Sequence, residues 1–87
     1  MAETRKVKLT GAQIRAGRAM LRISAQELAD MAGIGVATVR RSEAVDGTIG
    51  VHYANSKAMQ AALQGAGILF LGADGGGPGV RLRAQPD

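Results

Sequence analysis

The side chains with the clearest chemistry lie between Val36 and Arg41. Arg40 carries a guanidinium group whose paired donors match the O6 and N7 acceptors of guanine. Val36 and Ala37 offer apolar contact only, which suits the methyl group of thymine. Arg41 can donate to a base or to a phosphate, whereas Thr38 can bind a phosphate or pack its methyl group inward. These residue types favour contact with the edges and backbone of duplex DNA.

Catalytic and metal-binding chemistry is poorly represented in the sequence. His52 is the only histidine, there is no cysteine, and neither Ser24 nor Ser42 has a base close by in the sequence. A lone histidine lacks the further ligands that a protein metal site needs. The glycine-rich segment 72–79 is not a phosphate loop, because no helix opening with Lys-Ser or Lys-Thr follows it. We therefore predict that the protein is not an enzyme and requires no cofactor or metal.

Two short helices joined by a tight turn must position the arginines. Ser24 can accept a backbone N–H bond at the start of the first of these helices, and Glu27 completes a capping box three residues later. Gly33 ends that helix, since glycine takes the left-handed conformation of a C-cap at little cost. The second helix is predicted over about 35–44, with Val39 pointing inward. Small side chains and arginines on such a second helix suit the major groove.

This stretch resembles the lambda-repressor-like family of helix-turn-helix regulators, of the Cro and xenobiotic-response-element type. The resemblance covers about residues 9–44 and rests on spacings across both helices, carried by Ser24, Leu28-Ala29, Gly33-Ile34-Gly35, Thr38-Val39 and Glu43. It implies that 35–44 is the recognition helix, with Val36, Ala37 and Arg40 nearest the bases. It also places Ser24 and Gln26 where the preceding helix crosses the phosphate backbone.

The same resemblance implies an ion pair between Arg18 and Glu43 that joins the first helix to the end of the recognition helix. The sequence departs from the family pattern at two positions. Ala25 stands where a glutamine often binds phosphate or base, and Gly35 stands where a serine often caps the recognition helix.

The first helix is predicted to begin after Thr10 as its N-cap, with Gly17 allowing a neighbouring helix to come close. Arg15, Arg18 and Arg22 recur at helical spacing, which is typical of a solvated charged face. A loop of about ten residues should follow the recognition helix. A fourth helix, capped by Asn55 or Ser56, is then predicted to extend to about residue 64.

A β-hairpin is predicted for residues 68–83. The apolar run 68–71 and the alternating run 80–83 flank a glycine-rich turn. An isolated two-stranded hairpin is marginally stable and exposes two strand edges. Pairing with the hairpin of a second chain would cover them, so we predict a symmetric dimer whose interface is apolar and is formed by Ile68, Leu69, Phe70, Leu71, Val80 and Leu82. The alternative is a hairpin that folds back onto its own fourth helix.

The chain is thus expected to form one mainly α domain: a lambda-repressor-like fold of four helices with a C-terminal β-hairpin. The predicted segments are a basic arm (1–8), a helix-turn-helix domain (9–67), the hairpin (68–83) and a loose tail (84–87). A net charge of +4 among 87 residues favours a polyanionic partner. No apolar run approaches the ~20 residues of a membrane span, and the absence of cysteine fits a reducing cytoplasm.

The function expected from these features is sequence-specific binding to double-stranded DNA by a homodimeric transcriptional regulator of a bacterium or phage. Repression is the default, because occupancy of a promoter suffices for it. The competing hypothesis is an antitoxin or anti-activator that acts through a protein partner, bound by the hairpin or the helices.

Overall fold

Four helices precede a two-stranded antiparallel sheet in the computed structural model, which describes residues 9–72 and 76–84. The elements in chain order are α1 (Gly11–Leu21), α2 (Ala25–Ala32), α3 (Val36–Glu43), α4 (Tyr53–Gly65), β1 (Ile68–Leu71) and β2 (Gly79–Leu82). The predicted mainly helical fold with a C-terminal hairpin is therefore confirmed. The basic arm over 1–8, the hairpin tip over 73–75 and tail residues 85–87 lie outside the described residues.

The starts of α1 and α2 are both fixed by capping boxes. The backbone N–H of Gln13 donates to Thr10 Oγ1 at 3.1 Å, and the N–H of Thr10 donates back to Gln13 Oε1 at 3.0 Å. The N–H of Glu27 likewise donates to Ser24 Oγ at 3.0 Å, and the N–H of Ser24 donates to Glu27 Oε1 at 2.8 Å. Gly33 ends α2 with a φ of 71°. These predicted helix ends are confirmed.

The start of α4 was predicted wrongly. The helix begins at Tyr53 after His52, two or three residues before the predicted caps Asn55 and Ser56. The N–H of Ser56 donates to the carbonyl of His52 at 3.0 Å, so the first helical turn is already closed at that point. No side chain caps this end, so the sequence carried no capping signal at the true boundary.

The loop that precedes α4 is paired with the chain just before and at the start of α1. The N–H of Ile49 donates to the carbonyl of Leu9 at 3.2 Å, and the N–H of Gly11 donates to the carbonyl of Gly47 at 2.9 Å. A single antiparallel bridge joins Thr10 and Thr48. These bonds hold the loop close to the N-terminal end of α1, and they bring Ile49 into the core.

The core draws on all four helices and on β1. Its fully buried large apolar side chains are Ile14, Leu28, Val39, Met59, Leu63 and Ile68. Burying each of them contributes about 1.5–3 kcal/mol relative to exposure. Gly17 is also buried, but a Cβ there would lie 3.5 Å from the side chain of Leu63 and 3.7 Å from that of Ile68. Side chains of α4 and β1 do pack closely on Gly17, as predicted, but those are ordinary contact distances, so an alanine would fit there as well.

The hairpin packs against α1 and α4 of its own chain. Ile68 pairs with Leu82 and Phe70 with Val80 on the face toward the helices, while Leu69, Leu71 and Arg81 belong to the opposite face. Gln13 anchors the strand pair at the end next to the turn, because its Nε2 donates to the carbonyls of Leu71 at 3.0 Å and Gly79 at 2.9 Å. The inner face of the hairpin is therefore covered by helices of its own chain, as the alternative to the dimer predicted for α4.

The dimer interface predicted from sequence must be corrected at Ile68. Its side chain is completely buried in the core of its own chain, so it is not available to a second chain. Phe70 and Val80 also pack against this core. The apolar side chains left on the outer face are thus Leu69, which is exposed, and Leu71, which is half-buried, whereas Leu82 is exposed at the end of the inner face.

The helices themselves are short, and within the described ranges none combines the length and apolar character needed to cross a membrane.

Candidate nucleic-acid interface

Helix α3 has a buried side and an exposed side. Val39 and Ser42 are buried against the other helices, and Ser42 Oγ donates to the carbonyl of Thr38 at 2.8 Å. Ala37, Arg40 and Arg41 are exposed. The exposed side therefore combines one small side chain with two guanidinium groups, which leaves room for another molecule to approach the helix closely.

The two arginines of α3 differ in whether their side chains form a hydrogen bond with another described residue. Arg41 Nη2 donates to Thr38 Oγ1 at 3.3 Å. Arg40, in contrast, has no hydrogen bond or ion pair with any residue in the described parts of the chain. Arg40 is thus the guanidinium group of this helix whose donors are all available, while the hydroxyl of Thr38 already accepts a bond within the helix.

Val36 is less available than the sequence suggested. Its side chain is half-buried and packs against the core. It lies three residues before Val39, so the two side chains share one side of α3. The apolar surface that Val36 can offer to a base is correspondingly reduced.

The first turn of α2 supplies the other predicted contacts, Ser24 and Gln26. Both residues are exposed. Ser24 Oγ already accepts the N–H of Glu27, which leaves its own hydroxyl hydrogen to donate. Gln26 Nε2 donates to Asp30 Oδ1 at 3.0 Å. The carboxylate of Glu27 lies in this same first turn, bonded to the N–H of Ser24, and that of Asp30 follows one turn later, so a phosphate at the start of α2 would meet opposing charge as well as these two donors.

The predicted ion pair between Arg18 and Glu43 is present and has two parallel bonds. Arg18 Nε lies 2.6 Å from Glu43 Oε2, and Arg18 Nη2 lies 2.8 Å from Glu43 Oε1. The third nitrogen, Nη1, donates to the carbonyl of Ile23 at 2.9 Å. One guanidinium group therefore joins the last turn of α1, the segment before α2 and the last turn of α3.

This environment raises the pKa of Arg18. The hydrogen bonding that Arg18 donates to the Glu43 carboxylate is the largest cause of the raised pKa, partial burial opposes it, and the charge of Glu43 adds to it. The Glu43 side chain is 9% exposed and the Arg18 side chain 24% exposed. The pair is thus much less solvated than a typical surface salt bridge, and it fixes the orientation of α3 relative to α1 and α2.

Arg15 is a second positioning residue, and sequence reasoning missed it. It was assigned to a solvated face, but its Nη1 donates to the carbonyls of Glu43 and Val45, and its Nη2 binds Asp46 Oδ1. Arg15 therefore binds the C-terminal end of α3, where backbone carbonyls lack helical partners. The helical spacing from Arg18 was the available signal, although spacing alone does not reveal backbone acceptors.

The Arg18 guanidinium group thus joins the segment before α2 to the last turn of α3, and the predicted hairpin residues pack instead on α1 and α4. In the described ranges, no three His, Cys, Asp or Glu side chains are grouped so that they could hold a metal ion. A scan against protein-family models found no match, and a search of curated proteins found no similar sequence. The family resemblance therefore rests on the motif residues themselves.

Proposed function

We propose that this protein is a sequence-specific DNA-binding transcriptional regulator that inserts α3 into the major groove. The observation that carries the proposal is the exposed guanidinium group of Arg40, which has no partner among the described residues, on a helix whose other side is fixed to the core. Such a group is suited to guanine, because two of its donors can reach O6 and N7 together. Ala37, one turn earlier, leaves space for the approach and can contact a thymine methyl group.

The distribution of charge supports the same proposal. Arg15 and Arg18 face Asp46 and Glu43, so their charges are largely compensated within the protein. The exposed side of α3 has no acidic residue before Glu43. Part of the net charge of +4 thus lies on the surface proposed to bind a polyanion.

The regulator is proposed to act as a homodimer. One base-reading arginine per chain specifies little sequence, whereas a two-fold dimer doubles the contacts and requires half-sites ~34 Å apart. Leu69 and Leu71 on the outer face of the hairpin are the surface proposed for self-association. Replacing Leu69 and Leu71 together by serine should give a monomer in sedimentation experiments, and a double variant that stays dimeric would exclude this surface.

Repression is the proposed mode of action, in the cytoplasm of a bacterium or of a phage host. A bound dimer blocks polymerase by occupying promoter DNA, and this requires no surface beyond the DNA-binding one.

The test is a titration of purified protein with a labelled fragment of its own upstream DNA, with random DNA as the control, at two salt concentrations. We expect tight, salt-sensitive binding to the upstream fragment and weaker binding to random DNA. Equal weak binding to both would argue against sequence-specific regulation from this fragment.

The Arg40→Ala variant sharpens this test. It should lose about 1–3 kcal/mol of affinity for the upstream fragment, or roughly five- to 150-fold, with little change on random DNA. Arg83→Ala is the matched control, because Arg83 is an exposed arginine that binds the Gln64 carbonyl at the other end of the fold. An equal loss on both DNAs would make Arg40 a phosphate contact.

A second function is favoured by the outer face of the hairpin. Leu69 is exposed there, and it belongs to a strand with a free edge in the described two-stranded sheet. A partner protein could add a strand to that edge, as an antitoxin or anti-activator mechanism would require. Stoichiometric co-purification of one specific protein, lost in the Leu69→Ser, Leu71→Ser variant, would support this function over the homodimer.

A further inference from the structure

Arg22 adopts a backbone conformation that arginine rarely takes. It follows α1 as the C-cap with φ 58° and ψ 42°, and it is the one non-glycine residue with positive φ in the described ranges. The N–H of Arg22 donates to the carbonyl of Ala19 at 3.2 Å, and that of Ile23 donates to the carbonyl of Arg18 at 3.1 Å. This is the left-handed helix ending in which glycine is strongly preferred.

The same chain uses glycine at the corresponding place one helix later. Gly33 ends α2 with φ 71° and ψ 35°, close to the angles of Arg22. The Arg22 side chain is exposed, and it forms no hydrogen bond or ion pair with any described residue. It therefore contributes no bond to the fold that would offset its unfavourable backbone conformation.

The position of Arg22 relative to α3 follows from the bonds of Arg18. The Arg18 guanidinium group binds the carbonyl of Ile23, which is the residue after Arg22, and it also binds the carboxylate of Glu43. Glu43 lies three residues after Arg40, one turn along α3. Arg22 thus lies next to the Ile23 carbonyl that the Arg18 guanidinium group links to Glu43 of α3, and two residues before Ser24, the N-cap of α2.

We propose that Arg22 binds a backbone phosphate of duplex DNA next to the bases contacted by α3. This inference rests on the DNA-binding function proposed above and adds a contact that the sequence pattern did not assign. A guanidinium group without an internal partner is suited to a phosphate oxygen. Such a contact positions the protein on the duplex without reading sequence. An arginine at a position that favours glycine then exchanges some fold stability for DNA affinity.

The variant Arg22→Gly separates binding from stability, because the two should change in opposite directions. Relief of the left-handed backbone should raise Tm by about 4 °C. Loss of one phosphate contact should lower the slope of log K against log salt by ~0.9 in magnitude, which amounts to about eightfold weaker binding at roughly 0.1 M salt. The factor should be the same for upstream and random DNA. Arg22→Lys should retain the wild-type slope, and Arg83→Gly controls for loss of one positive charge elsewhere.

Four results would overturn the inference. If wild-type protein binds and Arg22→Gly keeps its affinity and salt slope, Arg22 is not a phosphate contact and the proposed function stands. A loss restricted to the upstream fragment would make Arg22 a base contact. A lower Tm would mean that the side chain supports the fold. If wild-type protein binds neither DNA, the proposed function fails, and this inference fails with it.

Discussion

The ion pair between Arg18 and Glu43 predicts an unequal response to removal of either partner. In Arg18→Met, the Glu43 carboxylate stays in a site where its side chain is 9% exposed, without the group that compensated its charge. The bond to the Ile23 carbonyl is lost as well. Removal of one member of a buried pair costs about 3–5 kcal/mol, so we expect Arg18→Met to lower the free energy of unfolding by roughly 3 kcal/mol.

Removal of the acidic partner should cost less. In Glu43→Leu, the Arg18 side chain is already 24% exposed and keeps its bond to the Ile23 carbonyl, so its charge can be hydrated with little rearrangement. The lost charge-assisted bonds are worth about 1.5–3 kcal/mol, and partial rehydration should reduce the net loss to roughly 1–2 kcal/mol. The double variant should recover part of the Arg18→Met loss, because no uncompensated carboxylate is left behind.

Urea unfolding followed by far-ultraviolet circular dichroism measures all three variants at neutral pH. Asp46→Asn is the matched control, since the salt bridge of Asp46 with Arg15 involves side chains that are 88% and 41% exposed and should contribute less, while Arg15 keeps its bonds to two backbone carbonyls. Equal losses from Arg18→Met and Glu43→Leu, or losses below about 0.5 kcal/mol for both, would refute the argument from unequal burial.

Three further variants test packing and the hairpin anchor, each by thermal or urea unfolding. Gly11→Ala should destabilise the protein by ~3 kcal/mol or more, because a Cβ there would overlap two backbone carbonyls at the end of α3; wild-type stability would contradict the tight packing. Gly17→Ala should stabilise it by about 0.5–1 kcal/mol through helix propensity, since the added methyl group meets only ordinary contacts; a large loss would show that the site has no room. Gln13→Leu should cost about 2 kcal/mol and speed amide exchange in the hairpin, because two strand carbonyls lose their donor; unchanged exchange would mean that water replaces the amide.

The helix ends that the sequence predicted are the ones set by local bonds. Thr10 and Ser24 each bond to an N–H three residues away, and Gly33 supplies a conformation that its own chemistry favours. Such features need no knowledge of the rest of the fold. The start of α4 was missed because it depends on the path of a loop that pairs with the segment before α1.

The residues of the candidate site also divide into those whose environment follows from local sequence and those whose environment depends on distant contacts. The exposure of Arg40 followed from helical periodicity, because the spacing from Val39 determines which side of α3 is buried. The role of Arg15 did not, since its acceptors are mostly backbone carbonyls about thirty residues away. The left-handed backbone of Arg22 was not predicted either, because arginine, unlike glycine, does not indicate a left-handed conformation.

Docking of the hairpin was the largest difference between expectation and structure. The apolar run 68–71 was read as a surface for a second chain, yet Ile68 completes the core under Gly17 and Leu63. A strand pattern shows that one face must be covered, but it does not say by what. Both covering elements, α1 and α4, were predicted, α4 with a wrong start, and the distance of α1 from the hairpin along the chain concealed its contact.

The anchoring of the hairpin by Gln13 also has a consequence for biosynthesis. Its amide bonds join positions separated by 58 and 66 residues. At a translation rate of about 5–20 residues per second, Gln13 is synthesised roughly 3–13 s before Gly79. Helices form in about a microsecond, so a helix that has left the ribosome waits with an uncovered apolar side until the hairpin follows it. The last strand thus sets the moment at which the domain closes, and until then the emerging chain is a substrate for chaperones that bind apolar segments.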